Sequence, residues 1–427
     1  MKKIWLVSVN MGYGHLRAAF PLRKMAQGGE VICANDYKGI PEKDETIWKN
    51  IRKGYELISR LKRIPLLGYF IFFIFNKFQM ILKFYPKRDL SKPSFQLEEN
   101  FSLIEKGWGK DLIERLRKKP IPLVSTFFVP AFMAEHFDYP GDIFCVICDA
   151  DISRAWAPEK AEQSRIKYLV PNQRVEERLR MYGVKSDNIF LTGYPLPGEN
   201  IGDKNSNVVK EDLRMRLLNL DPKKRYFKYY EPLIKSYLGG LPKKSNHLLT
   251  LTFTVGGAGA QKKIGVKIVK NLASWIKSGK IKVVLVAGTK EKVAEYFKKE
   301  LGNIGLGKNK NVKILFKKNI EDYFLEFNSV LRQTDILWTK PSELSFYSAL
   351  GLPIIIAPPI GSQEKFNKSW LLKSGFGISQ ADPVSTDQWL SDWLENGYLA
   401  EAAMQGFIEG KRSGVLSIKQ TIEKCSG

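Results

Sequence analysis

Strand-length apolar runs alternating with longer amphipathic stretches predict an α/β chain, with parallel sheets wrapped by helices. Three observations carry that expectation. The alternation runs through residues 1–200 and restarts near residue 246. Each run includes a strand leading into a Gly-rich turn and then a helix. The 427 residues exceed one ordinary core and suit two domains of roughly 150–200 residues. The expected division is 1–200, a helical linker or insertion at 201–245, and a second domain at 246–427, whose last helix is a candidate to return to the first.

In the first half, strands are expected at 4–9, 31–34, 123–125, 143–148, 166–170 and 189–192. A break follows at Gly193-Tyr194-Pro195-Leu196-Pro197-Gly198, then a polar stretch to Asn207. Residues 209–244 read as helical, basic and aromatic, with Arg225-Tyr226-Phe227-Lys228-Tyr229-Tyr230 at their centre. In the second half, strands are expected at 248–254, 282–287, 312–316, 336–338 and 353–356.

Composition narrows the partners. The apolar fraction of 44% is ordinary for a folded chain, but 68 Lys+Arg against 44 Asp+Glu gives a formal charge of +24. Such a balance calls for a polyanionic partner: nucleic acid, an anionic membrane or a phosphate-bearing substrate. The chain carries no recognised nucleic-acid motif, so nucleic acid is not expected. The start is charged, then apolar over too few residues for a signal peptide, and it reads as a first strand. The cytoplasm is therefore the expected compartment, and its four cysteines are not expected to form disulfides. Cys145 and Cys148 read as small core residues on opposite sides of a sheet, with metal or redox use as the alternative.

Residues 64–75, Ile-Pro-Leu-Leu-Gly-Tyr-Phe-Ile-Phe-Phe-Ile-Phe, depart from the alternation. They are too short to span a bilayer, which needs about 20 residues. Arg60, Lys62, Arg63, Lys77, Lys83, Lys87 and Arg88 flank them. An apolar helix with basic flanks suits an anionic membrane surface, where a buried Phe contributes about 1.5–3 kcal/mol and a nearby Lys or Arg about 1 kcal/mol. The region 51–90 is thus a candidate membrane-docking segment; a core helix with solvated neighbours is the alternative.

Three motifs carry chemistry. Asn10-Met11-Gly12-Tyr13-Gly14-His15-Leu16-Arg17 follows the first strand, and Gly12 and Gly14 permit a sharp turn with exposed amides at a helix start. It is not a dinucleotide fingerprint, because the third glycine is missing. His15 stands where open α/β sheets place ligands, as a site residue or a structural cap. The second motif, Thr254-Val255-Gly256-Gly257-Ala258-Gly259-Ala260-Gln261, lacks the GK[ST] of a Walker loop. It reads either as a diphosphate cradle or as a tight turn. The third is distributed: Thr339-Lys340-Pro341-Ser342-Glu343, then Gly351-Leu352-Pro353, then Gln363 to Asn367. Its polar residues fall at strand ends and helix starts, as in one crevice.

Together these motifs resemble the inverting GT-B glycosyltransferases that include the monogalactosyl- and diglucosyldiacylglycerol synthases and the peptidoglycan N-acetylglucosaminyltransferase. The first motif is similar to their Gly-x-Gly-His-x-x-Ala-Ala loop, Cys148-Asp149 to a Thr-Asp strand end that supplies a base, and 256–261 to the diphosphate loop. Gly351-Leu352-Pro353 with Gln363 and Asn367 resembles the nucleotide-sugar signature, and 55–78 the membrane-docking region of the glycolipid enzymes.

The resemblance implies two Rossmann-like domains facing a central cleft and a UDP-sugar substrate, with no cofactor and no metal. Sugar transfer would go to a lipid or lipid-linked acceptor, on the inner face of the cytoplasmic membrane. It implies Asp149 or His15 as base and Gly256, Gly257, Ala258, Gly259 and Gln261 at the diphosphate. Gln363 and Asn367 would hold the sugar hydroxyls and Glu343 the ribose. Gly12, Gly14, Arg17, Arg154 and Lys340 are candidates for phosphate or acceptor contacts. Two positions depart from the pattern: Phe346 stands where the ribose-binding Glu falls, and Arg154 where a His follows the Thr-Asp pair. A nucleotide-sugar epimerase and a non-catalytic nucleotide-sugar-binding protein are the alternatives.

Overall fold

The computed structural model describes residues 2–61, 81–256, 259 and 261–426, with side chains omitted at 55–61. The candidate docking segment at 64–75 lies outside the described residues, as do Gly257 and Ala258.

Two six-stranded sheets, every pairing parallel, organise the chain. The first contains β1 (Trp5–Ser8), β2 (Ile32–Cys33), β3 (Leu123–Ser125), β4 (Ile143–Val146), β5 (Lys167–Val170) and β6 (Ile189–Leu191). Their order is β2-β1-β3-β4-β5-β6. The second contains β7 (Thr250–Thr254), β8 (Lys282–Gly288), β9 (Val312–Phe316), β10 (Ile336–Thr339), β11 (Ile354–Ile356) and β12 (Gly377–Ser379), in the order β12-β11-β10-β7-β8-β9. Parallel neighbours need crossovers, and helices supply them, covering both faces of each sheet and making its strands apolar throughout.

The period of two is visible in the first sheet. Val7, Leu123, Ile143, Cys145 and Tyr168 enter one core cluster. Their neighbours Leu6, Val124, Phe144, Val146 and Leu169 enter another. The strands β1, β3, β4 and β5 therefore each feed both clusters by simple alternation. Cys145 lies within β4 and Cys148 two residues past its end; both are buried, and neither forms a disulfide.

By contacts the chain forms two units: Met1–Leu196, Ile360–Asn367 and Ser413–Gly427 in one, Pro197–Pro359 and Lys368–Arg412 in the other. The C-terminal helix Gly414–Cys425 thus belongs to the first unit, where Ile418 and Ile422 complete the second cluster with Ile4, Leu22 and Phe144. The helices Asn207–Leu220 and Arg225–Leu238, expected as a linker or insertion, pack inside the second unit. Arg216 is buried and donates to the carbonyls of Thr334, Leu350 and Gly351 at 2.7–2.9 Å.

β12 was not expected from the sequence. Three residues beginning with glycine carry almost no strand signal, yet a Cβ at Gly377 would collide with the Ile354 carbonyl, so close pairing to β11 requires the glycine. The expected 248–254 strand begins at Thr250, whose amide is held by the Asp335 carboxylate at 2.7 Å.

Candidate functional site

Open α/β sheets bind ligands at the carboxyl ends of strands, where the strand order reverses direction. In the first sheet, consecutive strands depart in opposite directions from β1 and β3. The expected glycine turn follows β1. Gly12 has φ +138°, a region open to glycine, and the helix Tyr13–Ala19 begins directly after it. That helix has seven residues, under two turns, so the dipole expected to favour anions there is short.

His15 crosses the switch point. Its Nδ1 is 2.8 Å from the Thr126 carbonyl just past β3, and Thr126 Oγ1 donates to Ser8 Oγ at 2.9 Å. A carbonyl only accepts, so Nδ1 carries the proton, and in the neutral ring Nε2 holds the lone pair. Phe127 packs edge-on against the imidazole at 4.8 Å, and Trp156 lies at 6.3 Å. Arg17, on the same helix, is buried.

Asp149 lies three residues past β4, half-buried, in the tripeptide Asp149-Ala150-Asp151. The tripeptide is held on several sides. Asn367 Oδ1 accepts from the Ala150 amide at 2.8 Å, and Asn367 Nδ2 donates to Asp149 Oδ1 at 3.1 Å. Asn172 Nδ2 donates to the Ala150 carbonyl at 3.3 Å, while its Oδ1 caps the helix Gln173–Met181. Asp151 is buried and receives Arg178 through two bonds at 2.8 and 2.9 Å, and Arg174 through one at 2.9 Å. Arg174 also stacks on Phe84 at 3.4 Å. Burial opposes the charge on Arg178, but the Asp151 bonds outweigh it and raise the guanidinium above its ordinary value.

Arg154 has a different job from the phosphate or acceptor contact expected of it. It is buried, and its guanidinium donates to the carbonyls of Ser91, Ala157, Pro158 and Glu159, tying the 153–159 loop to the chain at Ser91. Burial pulls it below its ordinary value. Asn367 was grouped with donor residues, whereas its contacts put it in the first unit beside Asp149. Gln363 lies one turn earlier on the same helix, Ser362–Lys373, and is half-buried.

In the second sheet the order reverses at β7 and β10. Residues 256–261 leave β7, and Thr339-Lys340 ends β10. Thr254 Oγ1 donates to Thr339 Oγ1 at 2.7 Å, joining the two strand ends. Lys340 lies over Gly256 so closely that a Cβ there would collide with its Cε. The Gly259 amide donates to the Gly256 carbonyl at 2.7 Å, closing a tight turn, and Gln261 adopts a left-handed φ of +67° before the ten-residue helix Lys262–Asn271. Gln261 Nε2 donates to the Pro358 carbonyl beyond β11 at 2.7 Å. Glu343, half-buried, opens a 3-10 segment, Glu343–Leu350. Phe346 on that segment is buried against Trp370, with ring centroids 5.0 Å apart, which makes its position apolar.

Thr126, Asp151 and Arg178 were not singled out from sequence. Asn172 did leave a signal, as a helix-capping residue after Pro171. Among the described residues, no group of three His, Cys, Asp or Glu is placed to hold a metal ion. No helix among them is long and apolar enough to cross a membrane.

Residues 243–309 match a family described as a domain of unknown function, DUF6938. Along 88% of its length the chain is 23% identical to the processive diacylglycerol beta-glucosyltransferase of Bacillus pumilus, covering 82% of that protein. To the enzyme of the same description from Bacillus subtilis it is 21% identical, over 88% of this chain and 83% of that one. The solved structure of Acinetobacter baumannii MurG superposes with a TM-score of 0.47 at 11% identity, covering 99% of this chain and 100% of that chain. Along most of its length the chain is thus similar to the diacylglycerol glucosyltransferases, and its two parallel sheets are GT-B glycosyltransferase-like in fold.

Proposed function

We propose that this protein is an inverting glycosyltransferase that moves a sugar from a UDP-sugar to a lipid or lipid-linked acceptor on the inner face of the cytoplasmic membrane. One observation carries the reading. His15 and Thr126 meet at the carboxyl ends of β1 and β3, and Thr254 and Thr339 at those of β7 and β10, the switch points where parallel sheets bind ligands. Asp149 follows the adjacent strand β4.

The second unit takes the donor. The start of the helix Lys262–Asn271 offers main-chain amides to the diphosphate at the 256–261 loop, and Lys340 adds a positive charge above Gly256. Positive charge and amide dipoles stabilise the UDP that departs, so the transfer needs no metal. Glu343 is the ribose contact in place of Phe346, and Gln363, which belongs to the first unit, is the contact to a sugar hydroxyl.

The first unit supplies the base. Asp149 takes the proton of the acceptor hydroxyl as that oxygen bonds to the anomeric carbon, and the bond from that carbon to the diphosphate breaks with inversion. His15 Nε2, fixed as the acceptor nitrogen by the Thr126 bond, is the second candidate base. Similarity to enzymes named for diacylglycerol supports the lipid acceptor.

The buried Phe346 favours a second reading, a protein that binds UDP-sugar without turning it over. UDP release from a panel of UDP-sugars, with and without anionic vesicles carrying diacylglycerol or polyprenyl phosphate, separates the two. Vesicle-dependent release from one sugar supports transfer. UDP binding with no release from any sugar supports the silent reading.

A further inference from the structure

The helix Arg225–Leu238 carries a surface that the proposed chemistry does not use. Its inner face, Tyr226, Ile234 and Leu238, is buried in the second unit. Its outer face is exposed at Arg225, Lys228, Tyr229, Pro232, Lys235 and Ser236, positions three and four apart that form one stripe. Tyr229 is 73% exposed, Tyr230 45% and Tyr237 42%, which is unusual for three tyrosines on one helix. The stretch 222–244 contains seven Lys or Arg and a single acidic residue, Glu231, which is already paired with Lys235 at 2.8 Å.

We propose that this face is a second membrane-docking surface, carried by the second unit, whose partner is an anionic lipid leaflet. The proposal rests on the reading that the acceptor is membrane-borne. Tyrosine has an apolar ring and a polar hydroxyl, and it favours the headgroup level of a bilayer. Lysines lay their stems along the surface and hold their charge among the phosphates. Lys223, Lys224 and Lys228 are exposed just before and within the start of the helix that carries Tyr229, and Lys243 and Lys244 are exposed past its end, a charge that complements an anionic leaflet. Single-stranded nucleic acid is held by aromatic rings free to stack on bases, and here Tyr230 stacks on Tyr226 of its own helix at 4.6 Å. The kink at Tyr230 and Pro232 divides the helix, setting Tyr229 before it and Tyr237 after it.

The test uses the full chain and phosphatidylcholine vesicles with and without phosphatidylglycerol. Lys223→Glu, Lys224→Glu and Lys228→Glu combined should weaken binding to the anionic vesicles by at least about tenfold, since each basic residue at an anionic leaflet strengthens binding by about fivefold. Helix content and UDP affinity measured without lipid should stay as in the parent chain. A local readout excludes other membrane contacts. In a Cys33→Ser, Cys425→Ser background the remaining thiols, Cys145 and Cys148, are buried. An environment-sensitive dye at Tyr229→Cys should shift to the blue on anionic vesicles only.

Unchanged vesicle binding in the triple variant, or a dye that stays in water, overturns the proposal. Single-stranded RNA bound as tightly as anionic vesicles also overturns it, in favour of nucleic acid. If the chain turns over no UDP-sugar while both vesicle readouts behave as expected, the docking surface stands and the transferase reading falls.

Discussion

Asn367 Nδ2 donates to Asp149 Oδ1 at 3.1 Å, and Asn367 Oδ1 accepts from the amide of Ala150 at 2.8 Å, joining positions 218 apart in sequence. One amide thus grips both the side chain and the backbone of the strand end that presents the candidate base. Asn367→Leu removes both bonds and leaves the buried Ala150 amide without that acceptor, at a cost of about 1–3 kcal/mol. If Asn367 acts through Asp149, kcat falls while the Kd for UDP-sugar holds. A raised Kd with unchanged kcat would return Asn367 to sugar binding.

Asp149→Asn keeps the shape of the strand end and removes the base. Turnover should drop by roughly 10²–10⁴-fold with donor affinity preserved. His15→Ala should cost less if His15 only shapes the switch point, and as much if it takes the proton. Near-full turnover in both variants would dismiss the pair.

Arg178 and Asp151 form a buried ion pair beneath the site, with Arg178 fully buried and Asp151 3% exposed at the side chain. Arg178→Met strands a buried carboxylate and should destabilise the chain by about 3–5 kcal/mol in urea unfolding. Pairing it with Asp151→Asn should recover much of that loss. No recovery would mean that packing, rather than charge, is what Arg178 supplies.

Lys340 above Gly256 is expected to feel the diphosphate. Calorimetry should show Lys340→Met weakening UDP by about tenfold, or ~1.4 kcal/mol, and weakening uridine little. Equal losses for both ligands would place Lys340 away from the phosphates.

At the opposite end of the second sheet, both nitrogens of His247 face acceptors: Asn246 Oδ1 at 2.7 Å and the buried Asp335 Oδ1 at 3.1 Å. Burial raises the Asp335 carboxyl above its ordinary range, against the bonds from His247 and Thr250. The native state therefore keeps a proton that the unfolded chain releases. That stability is full below the ordinary carboxylate range and is lost as pH rises through the raised folded value. The denaturant midpoint of the parent chain, relative to Asp335→Asn, should fall as pH rises through that window. A flat difference counts against the assignment.

The fold was legible because parallel strands bury both faces and leave apolar runs of fixed length, as at Trp5–Ser8 and Lys282–Gly288. Glycine marked both turns, since Gly12 takes a φ that other residues rarely adopt and Gly256 lies under Lys340. What stayed hidden was pairing across distance. Nothing local to Asn367 points to Asp149. Arg154 read as a candidate phosphate or acceptor contact because a sequence does not disclose which carbonyls take up its five donors. Phe346 was visible as a departure, but its burial against Trp370 depends on a helix two dozen residues further on.

The core of the first unit is closed by residues far apart in sequence. Ile4 and Leu6 share one buried cluster with Ile418 and Ile422. The residues of the second unit are thus inserted between the first unit's sheet and a helix that helps to cover it. Loss of the helix Gly414–Cys425 would uncover the core of the first unit while leaving the residues of the second intact.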